Sequence, residues 1–145
     1  MKLIVLCGIP GSGKTTLSHK LAQEHNAALY CYDALPEAHN PKKHIKVHQD
    51  MWFNALCDLQ NDKSVVIDDL HTTLTMRSDL LNVFSNVNCE KVIIVMKTPF
   101  DVCIQRNVNR TARLPNFILR SLYERFDLPT LEEGWSEIIY NETRD

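Results

Sequence analysis

Gly8-Ile9-Pro10-Gly11-Ser12-Gly13-Lys14-Thr15 is the stretch from which the fold can be read. It has the spacing G-x-x-x-x-G-K-[ST], and it sits between the apolar run Leu3-Ile4-Val5-Leu6-Cys7 and a stretch with Leu17 and Leu21 at helical spacing. Glycines at these positions let backbone N–H groups converge on anionic oxygens in a concave loop that side chains would obstruct. The N-terminus of the following helix adds partial positive charge. Gly11, Ser12 and Gly13 are therefore expected to cradle the phosphates of a nucleoside triphosphate. Lys14 should reach the β- and γ-phosphates, Thr15 should hold Mg²⁺ through its hydroxyl, and Thr16 should add a phosphate contact.

Outward from this loop, Val65-Val66-Ile67 and Val92-Ile93-Ile94-Val95-Met96 repeat the continuous apolar pattern of strands covered on both faces. Ala28 to Cys31 and Glu137 to Tyr140 are weaker strand candidates. Helical stretches lie between them. Asn40-Pro41 and Thr98-Pro99 each set a capping residue before a proline at the first helical position. Met51, Trp52, Ala55, Leu56 and Leu59 form one apolar stripe, and Leu74, Leu81 and Phe84 suggest another. Strand–helix alternation predicts an α/β fold of the P-loop NTPase type, a three-layer α/β/α sandwich with a mostly parallel sheet of four to five strands and a helical lid. Ligands should collect at the carboxyl ends of the strands. One domain over 1–145 is expected, because 145 residues suit a single ordinary domain.

Composition narrows the partners. A net charge of −2 gives no broad positive field for duplex nucleic acid, leaving room only for a local basic patch. Cys7, Cys31, Cys57, Cys89 and Cys103 are odd in number and show no paired spacing, which suggests free thiols in a reducing, cytoplasmic setting rather than disulfides or zinc. The Leu3 to Cys7 run is shorter than a signal-peptide core, and no apolar stretch reaches the length of a membrane span.

Val65-Val66-Ile67 runs into Asp68-Asp69, the best apolar run ending in carboxylates. Asp68 is the candidate for Mg²⁺ through water, while Asp69 either shares that role or faces the substrate. A GTPase switch would carry N-K-x-D and D-x-x-G motifs; both are missing here, and Leu70-His71 follows the carboxylates. A small kinase is the economical reading. Asp33, just past the second strand candidate, is placed to accept the proton of a substrate hydroxyl. Arg106, Arg110 and Arg113, spaced by four and three, would share a helical face and close over phosphates as a lid across about 104–116.

Taken together, the phosphate loop with Thr16, Asp33, Asp68-Asp69, Arg106-Asn107-x-x-Arg110 and the tail Pro129-Thr130-Leu131-Glu132-Glu133-Gly134-Trp135 resemble the polynucleotide-kinase-like branch of P-loop kinases, related to AAA-type ATP-binding and zeta-toxin proteins. The resemblance implies ATP-dependent, Mg²⁺-assisted phosphorylation of a hydroxyl, in the best-known members the 5′-hydroxyl of DNA or RNA, with GTP as an alternative donor. Asp33 would be the general base, Arg106 and Arg110 the lid arginines on ATP phosphates, and Asp69 the carboxylate near the acceptor. The family's Asp-Thr-Asn stretch reads Asp69-Leu70-His71 here, and the arginine expected a few residues after the base is missing from Ala34 to Asn40. Lys42 or Lys43 would have to substitute for it. The acceptor is thus a polynucleotide 5′-hydroxyl or a small hydroxylated molecule such as a nucleoside, sugar or antibiotic. A non-catalytic nucleotide sensor and a simple NTPase are the competing classes. His44 and His48, an i, i+4 pair beside Lys42, Lys43 and Lys46, are expected on a solvated basic face or against an anionic substrate, and His71 at the rim of the site.

Overall fold

The continuous apolar runs are strands because the sheet they form is covered on both faces. A computed structural model describes residues 1–110 and 113–142. Strands β1 (Lys2–Cys7), β2 (Ala28–Cys31), β3 (Val65–Asp68), β4 (Glu90–Met96) and β5 (Glu137–Asn141) pair in parallel in the order β2-β3-β1-β4-β5. Helices α1 (Lys14–Glu24), α2 (His44–Gln60), α3 (Leu74–Val83), α4 (Phe100–Val108) and α5 (Asn116–Glu124) connect or flank them. Successive side chains of β1 point to opposite faces. Leu3 and Val5 pack with Met51, Ala55 and Leu59 of α2 and Leu80 of α3, whereas Ile4 and Leu6 pack with Leu17 and Leu21 of α1. The sequence is therefore apolar at every position of β1 rather than at every second one. Among the described residues no helix is long and apolar enough to cross a membrane.

Both proline starts are shifted from expectation. Asn40 Oδ1 accepts from the Lys42 N–H at 3.0 Å and closes a turn, so α2 begins only at His44. Pro99 itself occupies the N-cap of α4, because the Thr98 hydroxyl is turned away to donate to the Ser12 carbonyl at 2.8 Å. The second apolar stripe is met in part: Phe84 is fully buried and Leu81 packs against the core, but Leu74 is half exposed, and the buried side chains within α3 are Leu80 and, unexpectedly, Arg77. The lid is not one helix. α4 ends at Val108 and α5 starts at Asn116, so Arg106, Arg110 and Arg113 share no helical face. Asn107 holds the turn between them, its amide donating to the Leu114 carbonyl at 2.7 Å and its Oδ1 accepting the Leu114 N–H at 3.1 Å. The part of the expected lid at 111–112 lies outside the described residues.

The C-terminal tail is fastened by a buried ion pair. Arg77 is 1% exposed, and its Nε and Nη2 donate to the two Glu133 carboxylate oxygens at 2.8 and 3.2 Å. Glu133 also accepts from the Trp135 indole N–H and the Thr130 backbone N–H, both at 3.1 Å. Arg77 Nη1 donates to the His71 carbonyl at 3.0 Å, which ties the tail to the loop after β3. Removing one partner of such a pair strands a buried charge at a cost of about 3–5 kcal/mol. Glu133→Ala should therefore lower the urea midpoint sharply, whereas breaking the solvent-facing Lys20–Glu24 pair with Lys20→Ala should leave it almost unchanged. Equal midpoints for the two variants would remove the pair from its structural role.

Candidate nucleotide and acceptor site

The parallel register sets β1 Leu6 beside β3 Asp68, so the loops that leave these strands emerge together. They are joined directly, the Gly8 N–H donating to the Leu70 carbonyl at 2.9 Å. From there the phosphate loop turns through Gly11 at φ +84° and Gly13 at φ +93°, conformations open to glycine without strain, and Gly13 caps α1. A Cβ on Gly11 would lie 2.7 Å from the Cys103 carbonyl, so glycine is also what lets α4 lie against the loop.

A cleft of about 570 Å³ opens at this edge of the sheet. From the loop and α1 it is lined by Gly11, Gly13, Lys14, Thr15 and Thr16. Ser12 is the exception, 1% exposed beneath the loop, with its carbonyl held by the Thr98 hydroxyl and its backbone N–H donating to the Ile9 carbonyl at 3.2 Å. Lys14 Nζ donates to the Ile9 carbonyl at 3.1 Å across the loop. Burial pushes the Lys14 ammonium below the ordinary lysine range, opposed by the nearby carboxylates of Asp68, Asp69 and Asp33.

Those three carboxylates line the same cleft. Asp68 ends β3 between β1 and β2, with its Oδ2 3.1 Å from Ser18 Oγ and 3.6 Å from Cys31 Sγ. Burial pushes the Cys31 thiol up to about 11, so it meets Asp68 as a protonated donor. Thr15 and Asp68 offer hard oxygen donors on one cavity wall, a set that fits a divalent ion keeping several of its waters. Asp33 stands exposed in the short 3₁₀ turn Tyr32–Ala34 that follows β2.

Asp69 is oriented by a residue expected elsewhere. His48 is not on a solvated face: it is partly buried, stacked on Tyr32 with ring centroids 4.1 Å apart, and its Nε2 lies 2.8 Å from Asp69 Oδ2. Its Nδ1 lies 2.9 Å from the His44 carbonyl, so both nitrogens face acceptors and the imidazolium satisfies both. Burial alone would lower the His48 pKa, but the Asp69 bond and the His44 carbonyl outweigh it and the net shift is upward. Burial likewise raises Asp69, yet the bond from His48 and the Leu70 N–H, which donates to Oδ1 at 2.8 Å, hold its carboxyl below the usual range. His71 corrects a second expectation. Rather than lying at the rim it is 2% exposed, at φ +50°, with Nδ1 2.7 Å from the Leu6 carbonyl.

Arg106, Arg110 and Arg113 face the cleft from α4 and the loop after it, and Arg106 Nη1 donates to the Gly11 carbonyl at 3.1 Å. Lys43 is bonded to Glu37 at 2.8 Å, and neither it nor Lys42 is among the described cleft-lining residues, so neither stands where a substrate-phosphate arginine would. Sequence reasoning missed Arg77, the bond of His48 to Asp69 and the turn made by Asn107. Only Asn107 left a local signal, as the second residue of Arg106-Asn107-x-x-Arg110.

This arrangement has relatives. The chain is 27% identical to an L-seryl-tRNA(Sec) kinase of Methanococcus maripaludis over 92% of its length, and 27% identical to a bifunctional polynucleotide phosphatase/kinase of Schizosaccharomyces pombe over 94%. It spans only 55% and 32% of those two proteins. The crystal structure of Chaetomium thermophilum Kti12 in complex with ADP-AlF3 shares the fold with a TM-score of 0.69 at 20% identity, covering 97% of this chain and 88% of that one. The profile of the family described as chromatin associated protein KTI12 matches residues 1–138. The five-stranded parallel sheet with its phosphate loop is a P-loop kinase fold, and the chain belongs to the KTI12 family, homologous to seryl-tRNA(Sec) kinase and polynucleotide kinase.

Proposed function

We propose that this chain transfers the γ-phosphoryl group of ATP, or less favourably GTP, to a hydroxyl acceptor, with a polynucleotide 5′-hydroxyl the best-supported acceptor class. The observation that carries this reading is that one cleft holds both halves of the chemistry: the loop with Lys14 and Thr15, and the carboxylates Asp33 and Asp69. The names of the two curated relatives, kinases acting on a seryl-tRNA and on polynucleotides, favour an acceptor that is nucleic acid or is carried by it over a sugar or antibiotic.

In this reading the loop amides from Gly11 to Thr15 bind the β- and γ-phosphate oxygens, and the Ser12 N–H and Lys14 exchange their bonds to the Ile9 carbonyl for them. Thr15 and Asp68 would hold Mg²⁺, which would supply charge neutralisation at the phosphates. Asp33 accepts the proton as the acceptor oxygen bonds to phosphorus and the bond to the ADP oxygen breaks. Arg106, Arg110 and Arg113 offset the negative charge on the transferring group. Asp69, held by His48, orients the acceptor. A second reading is favoured by the family's description as chromatin associated: a nucleotide-binding sensor, or simple NTPase, that signals to a protein partner.

Transfer from γ-labelled ATP to 5′-hydroxyl oligonucleotides, nucleosides and sugars separates the readings. Lys14→Ala should abolish transfer and weaken nucleotide binding. Asp33→Asn should keep nucleotide affinity but slow transfer by about 10²–10⁴-fold. An unchanged rate for Asp33→Asn on a confirmed acceptor would dismiss it as the base. Nucleotide binding without transfer to any acceptor, accompanied by a stable protein partner, would select the sensor.

The His48 pair adds a pH dependence. Its folded pKa is raised, so the stability it contributes is complete below the unfolded histidine pKa and is lost as pH rises through the folded value. Thermal midpoints across that alkaline limb should fall in the wild type and flatten in His48→Gln. Parallel pH profiles for the two proteins would show that the pair contributes nothing.

A further inference from the structure

A second cavity of about 380 Å³ shares Asp69 with the nucleotide cleft. His44, His48 and Trp52 of α2 and Met76 and Asp79 of α3 line it, together with His71. Its volume lies at the lower end of the roughly 300–1,000 Å³ of small-molecule sites, the scale of a nucleoside rather than a larger ligand.

Two buried polar atoms, His71 Nε2 and Trp52 Nε1, sit on residues that line this cavity and have no hydrogen-bond partner among the described residues. Their senses are opposite. Because a carbonyl only accepts, His71 Nδ1 carries the proton toward Leu6 O, which leaves Nε2 of the neutral ring as an acceptor. Burial, which lowers the His71 pKa, favours the neutral ring. Trp52 Nε1 can only donate. An unpaired buried polar group costs about 1–3 kcal/mol, so two in one wall mark a place where a ligand returns what folding gives up.

The rest of the lining restricts that ligand. A phosphate offers His71 Nε2 no proton once ionised and would face the Asp79 carboxylate, the His48 cation being already paired with Asp69. A sugar has donors and acceptors but no flat apolar faces to match the rings of His44, His48 and Trp52. A nucleobase has an N–H and a carbonyl or ring nitrogen in one plane, between two faces that stack on aromatic rings.

We propose that this cavity binds the neutral nucleobase of the acceptor, an N–H of the base donating to His71 Nε2 and a base acceptor atom receiving the Trp52 indole N–H. The sugar then lies at Asp69, where the two cavities meet, and its hydroxyl enters the cleft that Asp33 lines. The assignment as acceptor rests on the kinase reading; the base-binding chemistry does not. The base comes from a free nucleoside or from the first nucleoside of a 5′-hydroxyl nucleic-acid end.

Calorimetric titration of the full chain, without ATP, with adenosine, guanosine, cytidine, uridine, 5′-hydroxyl dinucleotides and base-free ribose tests this. At least one nucleoside or dinucleotide should bind and ribose should not; dinucleotides binding more tightly than nucleosides would identify a nucleic-acid end as the source. Trp52→Phe keeps the ring but removes the donor and should weaken binding about three- to tenfold. Met76→Trp fills the cavity and should abolish it. ATP affinity should be unchanged in both variants, which also reports that they fold. Absence of binding, or binding indifferent to both substitutions, overturns the proposal. Phosphoryl transfer to a sugar with no competition from nucleosides would overturn it while leaving the kinase reading intact; cavity-dependent nucleoside binding without any transfer would do the reverse.

Discussion

The hydrogen bond from the Gly8 N–H to the Leu70 carbonyl is the junction on which the site depends. It exists because β1 and β3 are parallel neighbours in a register that ends both strands at the same level, Leu6 beside Asp68. Without that register the phosphate loop and the carboxylate loop would emerge at different heights, and Lys14 would not share a cleft with Asp68. The junction is reinforced from below. His71 Nδ1 bonds the Leu6 carbonyl, the Cys7 thiol donates to the His71 carbonyl at 3.1 Å, and Arg77 donates to that same carbonyl. Glu133 completes the series, so the tail motif acts on the phosphate loop through three residues that never enter the cleft.

Charge is distributed unevenly over the two ends of the site. Lys14, Arg106, Arg110 and Arg113 face the region where a triphosphate would lie. On the other side of Asp69, the second cavity carries the Asp79 carboxylate, an Asp69 already paired with His48, and His71, whose pKa burial lowers. A polyanion is therefore favoured at one end and disfavoured at the other, and the asymmetry comes from which elements reach each cavity: α4 and its following loop supply the cations, α2 and α3 the carboxylate and the rings.

Most of the frame was legible in the amino-acid order because the evidence for it is local. An apolar run of three to five residues reads as a doubly covered strand wherever it lies, and the glycine spacing before Lys14 encodes a backbone path that few other residues could follow. All five expected strand positions are occupied by strands. Eleven of the twelve expected site residues line one cleft, with Ser12 beneath it. The long-range contacts were not legible. His48 and Asp69 are 21 residues apart, and Arg77 and Glu133 56 apart. Nothing in the spacing of either pair marks it, since the sheet order alone brings α2 against β3 and the tail against α3. The single-helix lid failed for a different reason. Helical periodicity in the three arginines was read without a stop signal, whereas Asn107 spends its side chain on Leu114 and turns the chain.

The departures from the polynucleotide-kinase pattern make sense when taken together. Ala34 to Asn40 lacks the arginine that would hold an acceptor phosphate, and the nearby lysines do not replace it, Lys43 being tied to Glu37. In the same chain, the position after Asp69-Leu70 holds a histidine whose ring is buried, neutral and proton-accepting at Nε2. A site that gave up its cation for the acceptor's phosphate would lose affinity unless another part of the acceptor were bound instead. A base held by His71 and Trp52 restores that affinity without placing an anion beside Asp69. On this argument the missing arginine and the added histidine are one change in what the acceptor is held by, from its phosphate to its ring.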